Sequence, residues 1–170
     1  YKNSDRRKWK SHSGATTANL VGKIRESSFL FNAYLLHEQG KAVDPYILLL
    51  NYYAPWGIVS LGDVAPTLGP LSVSGQGMRG AVLEQERGRY HWTLAGGQTI
   101  SSFPGTVTSN GRYQRFIFAG KLGAEFFDQL RVYANVGLGT DEAGSLSTDP
   151  KSPRFRGPSL TPQKTPMAGL

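Results

Sequence analysis

From residue 115 to residue 138 the chain sorts its side chains by parity. Phe116, Phe118, Leu122 and Phe126 fall on even positions, whereas Arg115, Lys121 and Glu125 fall on odd ones. Beyond Asp128 the even set continues through Leu130, Val132, Ala134, Val136 and Leu138, and the odd set through Arg131, Tyr133, Asn135, Gly137 and Gly139. A period of two marks an extended strand, because successive side chains there point to opposite faces; a helix would repeat every ~3.6 residues. Residues paired across a hairpin share a face, so Phe126 must pair with an even position, and residues 127–129 form the natural loop. The result is a hairpin with one apolar face, which must meet either a folded core or lipid.

The rest of the chain has the same character. Candidate strands are 29–37, 46–54, 57–62, 71–74, 80–87, 90–99, 113–126 and 130–139. The 21 glycines and 11% aromatic content favour strands and turns, since glycine weakens helices and aromatic rings suit a pleated surface. ANLVGKIRESSFLFNAYLLHEQG is the one stretch readable at a helical period, and its β-branched and aromatic residues favour strand there too. No apolar run reaches the ~18 residues of a transmembrane helix, but a transmembrane strand needs only ~9–11 residues of alternating polarity.

Links alternate in length: short around Gly88, long over 101–112, short at 127–129, then a Ser/Thr/Pro/Gly stretch from Thr140 to Pro166. Outer-membrane barrels are wired in this way, with tight turns at one end and long loops at the other. Aromatic residues also gather near turns, at Tyr90, Trp92, Phe126 and Phe127. YILLLNYY is apolar on both faces, so in a barrel its inner face would need a plug, a neighbouring loop or another strand to touch. The expected fold is all-β, an antiparallel up-and-down meander of long amphipathic strands forming part or all of a transmembrane β-barrel. Its expected divisions are a basic N-terminal segment (1–26), barrel strands (27–140), a long polar loop (141–166) and the opening of a further strand (167–170).

The net charge of +7 resides in the ends: residues 1–25 hold seven Lys or Arg against Asp5, and 151–170 hold four with no acid. The middle, 26–150, has eight bases against eleven acids, which argues against a nucleic-acid-binding face on the folded part. Trp9 and Phe155 lie in the basic ends, which read as solvated tails or loops. Catalysis finds no anchor. With no Cys there is no thiolate chemistry, and His12, His37 and His91 lack metal-ligand spacing. GQGMRG matches G-x-G-x-x-G at Gly75, Gly77 and Gly80, but no helix signal or downstream acid accompanies it; relief of crowding at a loop or bent strand is the better account. No Gly-x-Ser-x-Gly elbow occurs, and Asp141-Glu142 lacks the oxygen-ligand pattern of a calcium loop. The expectation is a non-enzyme with no cofactor and no metal.

The stretch LGDVAPTLGPLSVSGQGMRGAVLE, 61–84, resembles a hairpin of large outer-membrane β-barrels in which Leu-Gly-Asp ends one strand and Arg-Gly opens the next. Gly62, Asp63, Leu71, Gly75, Arg79 and Gly80 occupy those places. Fimbrial ushers show a similar pattern, as do the giant secretion and surface barrels of Bacteroidetes and Chlorobi relatives. GRYQRFIFAGKLGAEFFDQLRVYANVGLGTDEAGSL, 111–146, is similar to the latter group, where such a strand pair ends in an acidic turn followed by Ser-Leu. The resemblance covers about residues 27–170. The usher plug, chaperone-binding and periplasmic domains are not among these residues, so usher activity is not carried over. What the resemblance implies is barrel wall, the outer membrane of a Gram-negative-type bacterium, and a role in transport, secretion or surface assembly.

On that reading Phe116, Phe118, Leu122, Phe126, Leu130, Val132 and Val136 face lipid. Arg115, Lys121, Glu125, Arg131, Tyr133 and Asn135 then line a lumen, where three bases against one acid would favour anionic solutes. The expected partners are outer-membrane lipid and further β-strands of the same or associated chains, with no nucleic acid. The alternative is a soluble secreted β-sandwich that binds glycan or protein through exposed aromatic residues.

Overall fold

The computed structural model describes residues 13–38, 44–69, 75–103, 111–127, 130–145 and 161–169. Among them nine strands form one sheet: β1 (Ser13–Ile24), β2 (Ser27–Glu38), β3 (Asp44–Ala54), β4 (Gly57–Val64), β5 (Met78–Arg87), β6 (Tyr90–Ile100), β7 (Gln114–Phe126), β8 (Leu130–Glu142) and β9 (Lys164–Gly169). Spatial order equals chain order, every neighbouring pair is antiparallel, and β1 and β9 are the two edges. The all-β meander expected from parity is the observed fold, as an open sheet.

Antiparallel order places the β1–β2, β3–β4, β5–β6 and β7–β8 connections, of two or three residues, at one end of the strands, and the longer β2–β3, β4–β5, β6–β7 and β8–β9 connections at the other. Tight two-residue turns need positive φ to match strand twist, which Arg25 (φ 56°) and Gly88 (φ 62°) supply. Phe126 pairs with Leu130, so 127–129 is the loop that parity requires, and Phe127 opens it at φ 47°.

Three boundaries differ from the sequence reading. Residues 13–24, placed in the basic segment, form β1, paired with β2 from Ser13↔Glu38 to Ile24↔Ser27. SGATT, its first part, is small and polar, so there only its neighbour reveals a strand. β8 runs on through Asp141 and Glu142, because Arg115 and Gln114 still pair with them. β9 starts at Lys164, three residues earlier than expected, drawn along the edge of β8. The candidate strand 71–74, with Leu71, lies outside the described residues, as do His12, Trp9, Phe155 and the basic stretch 1–12.

Register propagates parity across the whole sheet. On one face a single ladder row reads Leu20, Phe31, Leu50, Leu61, Ala81, Gly96, Phe118, Leu138 and Pro166, each directly opposite the next. The adjacent row reads Gly22, Phe29, Tyr52, Val59, Leu83, Leu94, Gly120, Val136 and Ala168. The opposite face bears the buried cluster of Val64, Leu68, Met78, Val82, Ala95 and Ile117, with Leu49, Ala119 and Met167 against it. Leu68 comes from the β4–β5 link, folds over this face and is 1% exposed. These are the bare and the covered face.

A corner of glycines bends the covered face. Gly62 pairs with Gly80 and Gly80 with Gly97. A Cβ on Gly80 would strike the Gly96 carbonyl and one on Gly62 the Leu48 carbonyl, and Gly62 also has φ 107°. Only glycine admits such a backbone approach. Elsewhere a ring lies over its directly paired glycine, Phe29 on Gly22, Phe118 on Gly96 and Tyr133 on Gly123, filling the space a side chain would take.

Candidate functional site, two faces and two aspartate clamps

All seven residues expected to face lipid lie on the bare face, since Phe116, Phe118, Leu122 and Phe126 of β7 pair with even positions of β8. Phe118 is 57% exposed and Val136 64%. Leu20, Leu61, Leu94 and Leu138 extend the exposed apolar surface across the sheet. Where Ala81, Gly96 and Gly120 replace larger residues, a groove of ≈ 810 Å³ opens between Val59, Leu83, Leu94, Phe118 and Val136. Aromatic residues collect at the short-turn end: Trp56 in the β3–β4 turn, Tyr90 at the start of β6, and Phe126 and Phe127 at the β7–β8 turn, all exposed.

The covered face has two parts. Toward the long links it is packed by the Leu68 cluster, against which Leu49 of YILLLNYY rests, while Ile47 and Tyr53 on the same face of β3 stay exposed. Toward the short turns lies a polar cavity of ≈ 600 Å³, lined by Glu84, Glu86, His91, Thr93, Lys121 and Tyr133 among others. His91 Nδ1 is 2.8 Å from Glu86 Oε1, while its buried Nε2 lacks a protein partner.

Arg115, Lys121, Glu125, Arg131, Tyr133 and Asn135 all share this covered face through the β7–β8 register. Their charges are largely matched, however. Arg115 Nε lies 2.6 Å from Asp141 Oδ1, Arg131 Nε 3.0 Å from Glu125 Oε1, and Lys121 Nζ 4.3 Å from the centre of the Tyr133 ring. Glu84 and Glu86 of β5 and Asp141 of β8 join the same face. The excess of bases expected from the hairpin alone is therefore absent from this part of the sheet; a two-strand reading omitted the acids that register brings in. Asn135 is 7% exposed, its Oδ1 unpartnered beside Gly169 where β9 ends.

The Gly-Asp and Arg-Gly motif closes into one unit. Gly62 faces Gly80 in the corner, and Asp63 faces Arg79 on the bare side. Asp63 accepts from Arg79 Nε at 3.0 Å and Nη2 at 3.3 Å and, from the other flank, the Leu48 amide at 2.7 Å. Gly75, at φ 63°, donates its N–H to the Pro66 carbonyl and draws the β4–β5 link together. Asp141 repeats the device on the covered face: it accepts from Arg115 Nε and Nη2, at 2.6 and 3.1 Å, and from the Gln163 amide at 3.1 Å. Each clamp joins three consecutive chain segments at the long-link end, with bidentate charge-assisted bonds to a directly paired arginine. Ser145 closes the second one, accepting from the Gln114 amide at 2.8 Å and donating to the Glu142 carbonyl at 2.6 Å.

Sequence reasoning missed Leu68, Glu84, Glu86 and the clamp role of Asp141. The acidic turn before Ser-Leu was the available signal for Asp141; Leu68 left none. Among the described residues no group of His, Asp and Glu is arranged to hold a metal ion. No protein-family model, curated protein or solved structure matches the chain.

Proposed function

We propose that this sheet is a segment of the wall of an outer-membrane antiparallel β-barrel serving transport, secretion or surface assembly, with its bare face against lipid hydrocarbon. The observation that carries the proposal is the pair of adjacent ladder rows that cross all nine described strands without one charged side chain. Apolar surface costs ~25 cal/mol per Å² in water, and soluble monomers rarely expose a contiguous patch beyond a few hundred Å². Hydrocarbon removes that cost. The separation of tight turns from long links and the aromatic residues at the short-turn end support the same reading, since amphipathic rings gain most at the interface. A soluble sandwich would need a second sheet over the bare face, and the described residues form one sheet.

Trp92 lies on the bare face, opposite Leu122. In vesicles with brominated acyl chains its fluorescence should be quenched, the signal being isolated by replacing every other tryptophan, Trp9 and Trp56 among them, by Phe. A Trp92 emission insensitive to brominated lipid, in protein that co-sediments with the vesicles, overturns the lipid-facing assignment.

A further inference from the structure

We infer that the sheet is one arc of a barrel closed by an odd number of further antiparallel membrane-spanning strands, pairing with β1 and with β9; the inference rests on the barrel reading above. Direction decides it. β1 leads into the tight link 25–26, so it starts at the long-link end, and β9 follows the link 143–163, so it starts there too. The two edges run the same way. Direct closure of β1 on β9 would make a parallel seam, whereas every pair in this sheet is antiparallel. A second copy in the same membrane orientation would present its β1 to β9, again parallel. An inverted copy could pair antiparallel, but it would place its long links on the opposite side of the bilayer. Only an odd number of intervening strands lets both edges find antiparallel neighbours and brings the total to the even count of such barrels.

The edges themselves call for neighbours. β1 is exposed at every position except Gly22, and its adjacent residues Leu20 and Val21, on opposite faces, are 57% and 73% exposed. Its register with β2 runs without a bulge, and it contains no proline and a single charge, Lys23. Such a long, flat, undefended edge is a template for pairing. The added strands should be amphipathic, carrying the apolar rows onward from Leu20 and Pro166.

These 170 residues contain no cysteine, and with any cysteine elsewhere in the full-length protein replaced by Ser, introduced thiols report alone. In the full-length protein in its own membrane, a membrane-impermeant maleimide should label Ser13→Cys, Ala143→Cys and Thr161→Cys from one side, and Glu26→Cys and Arg89→Cys from the other. Labelling of Ser13→Cys and Thr161→Cys from opposite sides would overturn the inference, because the edges would then run in opposite directions. Under oxidation, the directly paired Val136→Cys/Ala168→Cys should cross-link, while Leu20→Cys/Ala168→Cys should not, either within one chain or between differently tagged copies. A disulfide between β1 and β9 overturns odd-strand closure, and so does amide exchange in β1 much faster than in β2. Brominated-lipid quenching of Trp92 is independent of these outcomes, so a failure of the membrane reading is distinguished from a failure of the closure argument.

Discussion

Leu122 and Lys121 are neighbours in the chain and answer to different constraints. Leu122 belongs to the bare face, where two whole rows carry no charged side chain and neighbouring side chains differ widely in size. Lys121 belongs to the covered face, where glycine corners, Leu68 and paired charges meet at fixed positions. The bare face needs a property, the covered face a geometry. A property repeated every second residue is visible in one strand, whereas a geometry built from several strands depends on register and loops.

The largest effect should come from the corner. Gly62→Val adds a branched Cβ against the Leu48 carbonyl at φ 107°, and Gly80→Val adds one against the Gly96 carbonyl. Each should cost about 3 kcal/mol or more, since the added atoms meet rigid backbone and no flexible side chain can yield, with the positive φ adding strain at Gly62. Loss of the β circular-dichroism signal and of heat-modifiable migration measures it. Gly120→Ala on the bare face meets chiefly the tip of Leu94 and should leave both nearly unchanged. Equal damage at Gly120 would erase the contrast between the faces.

Leu68→Ala comes next. Leu68 is the most deeply buried large side chain described, so truncation should cost about 2–5 kcal/mol, read from urea unfolding in lipid or detergent. Were it neutral, the β4–β5 link would not be part of the packed interior. Phe118→Arg should cost about 2–4 kcal/mol in a bilayer if it sits near the midplane, and far less in water. An unchanged unfolding free energy in vesicles would place the bare face against something other than hydrocarbon.

The contrast also explains what the sequence could reveal. The parity of 115–138 gave the pairing of β7 with β8, their three-residue loop and the face of each of those residues, but not the run of β8 through Glu142. Gly62 and Gly80 were visible as parts of a resemblance, but their contact depends on a register between strands separated by a long link. APTLG, 65–69, looks like a solvent loop because proline and glycine mark turns; that Leu68 folds inward follows from an apolar gap that exists only once β4 to β7 have paired. β1 was legible only in part for a related reason. Residues 18–24 fall in a stretch that favours strand, but Ser, Gly and Thr give 13–17 no apolar contrast, and the strand's extent shows only in its pairing with β2.

The smallest effect sharpens the comparison most. Arg115 and Arg131 each hold a carboxylate, so replacing either also frees an acid, and stability and charge change together. Lys121 differs. Among the described residues it pairs with no carboxylate, and its Nζ lies 4.3 Å from the Tyr133 ring centre, above a ring seated on Gly123. Lys121→Met keeps the length and apolar stem and removes only the charge, for a stability loss of about 0.5–1 kcal/mol. If the covered face borders a solute path, the acids Glu84 and Glu86 across the polar cavity then face one base fewer, with Arg131 already held by Glu125 and His91 beside Glu86. The complete barrel in a planar bilayer should shift toward cation preference, most clearly at low salt where screening is weak. A reversal potential unmoved by Lys121→Met, with folding and insertion intact, would make the polar cavity a closed part of the wall, sealed from the path by the same packing that buries Leu68.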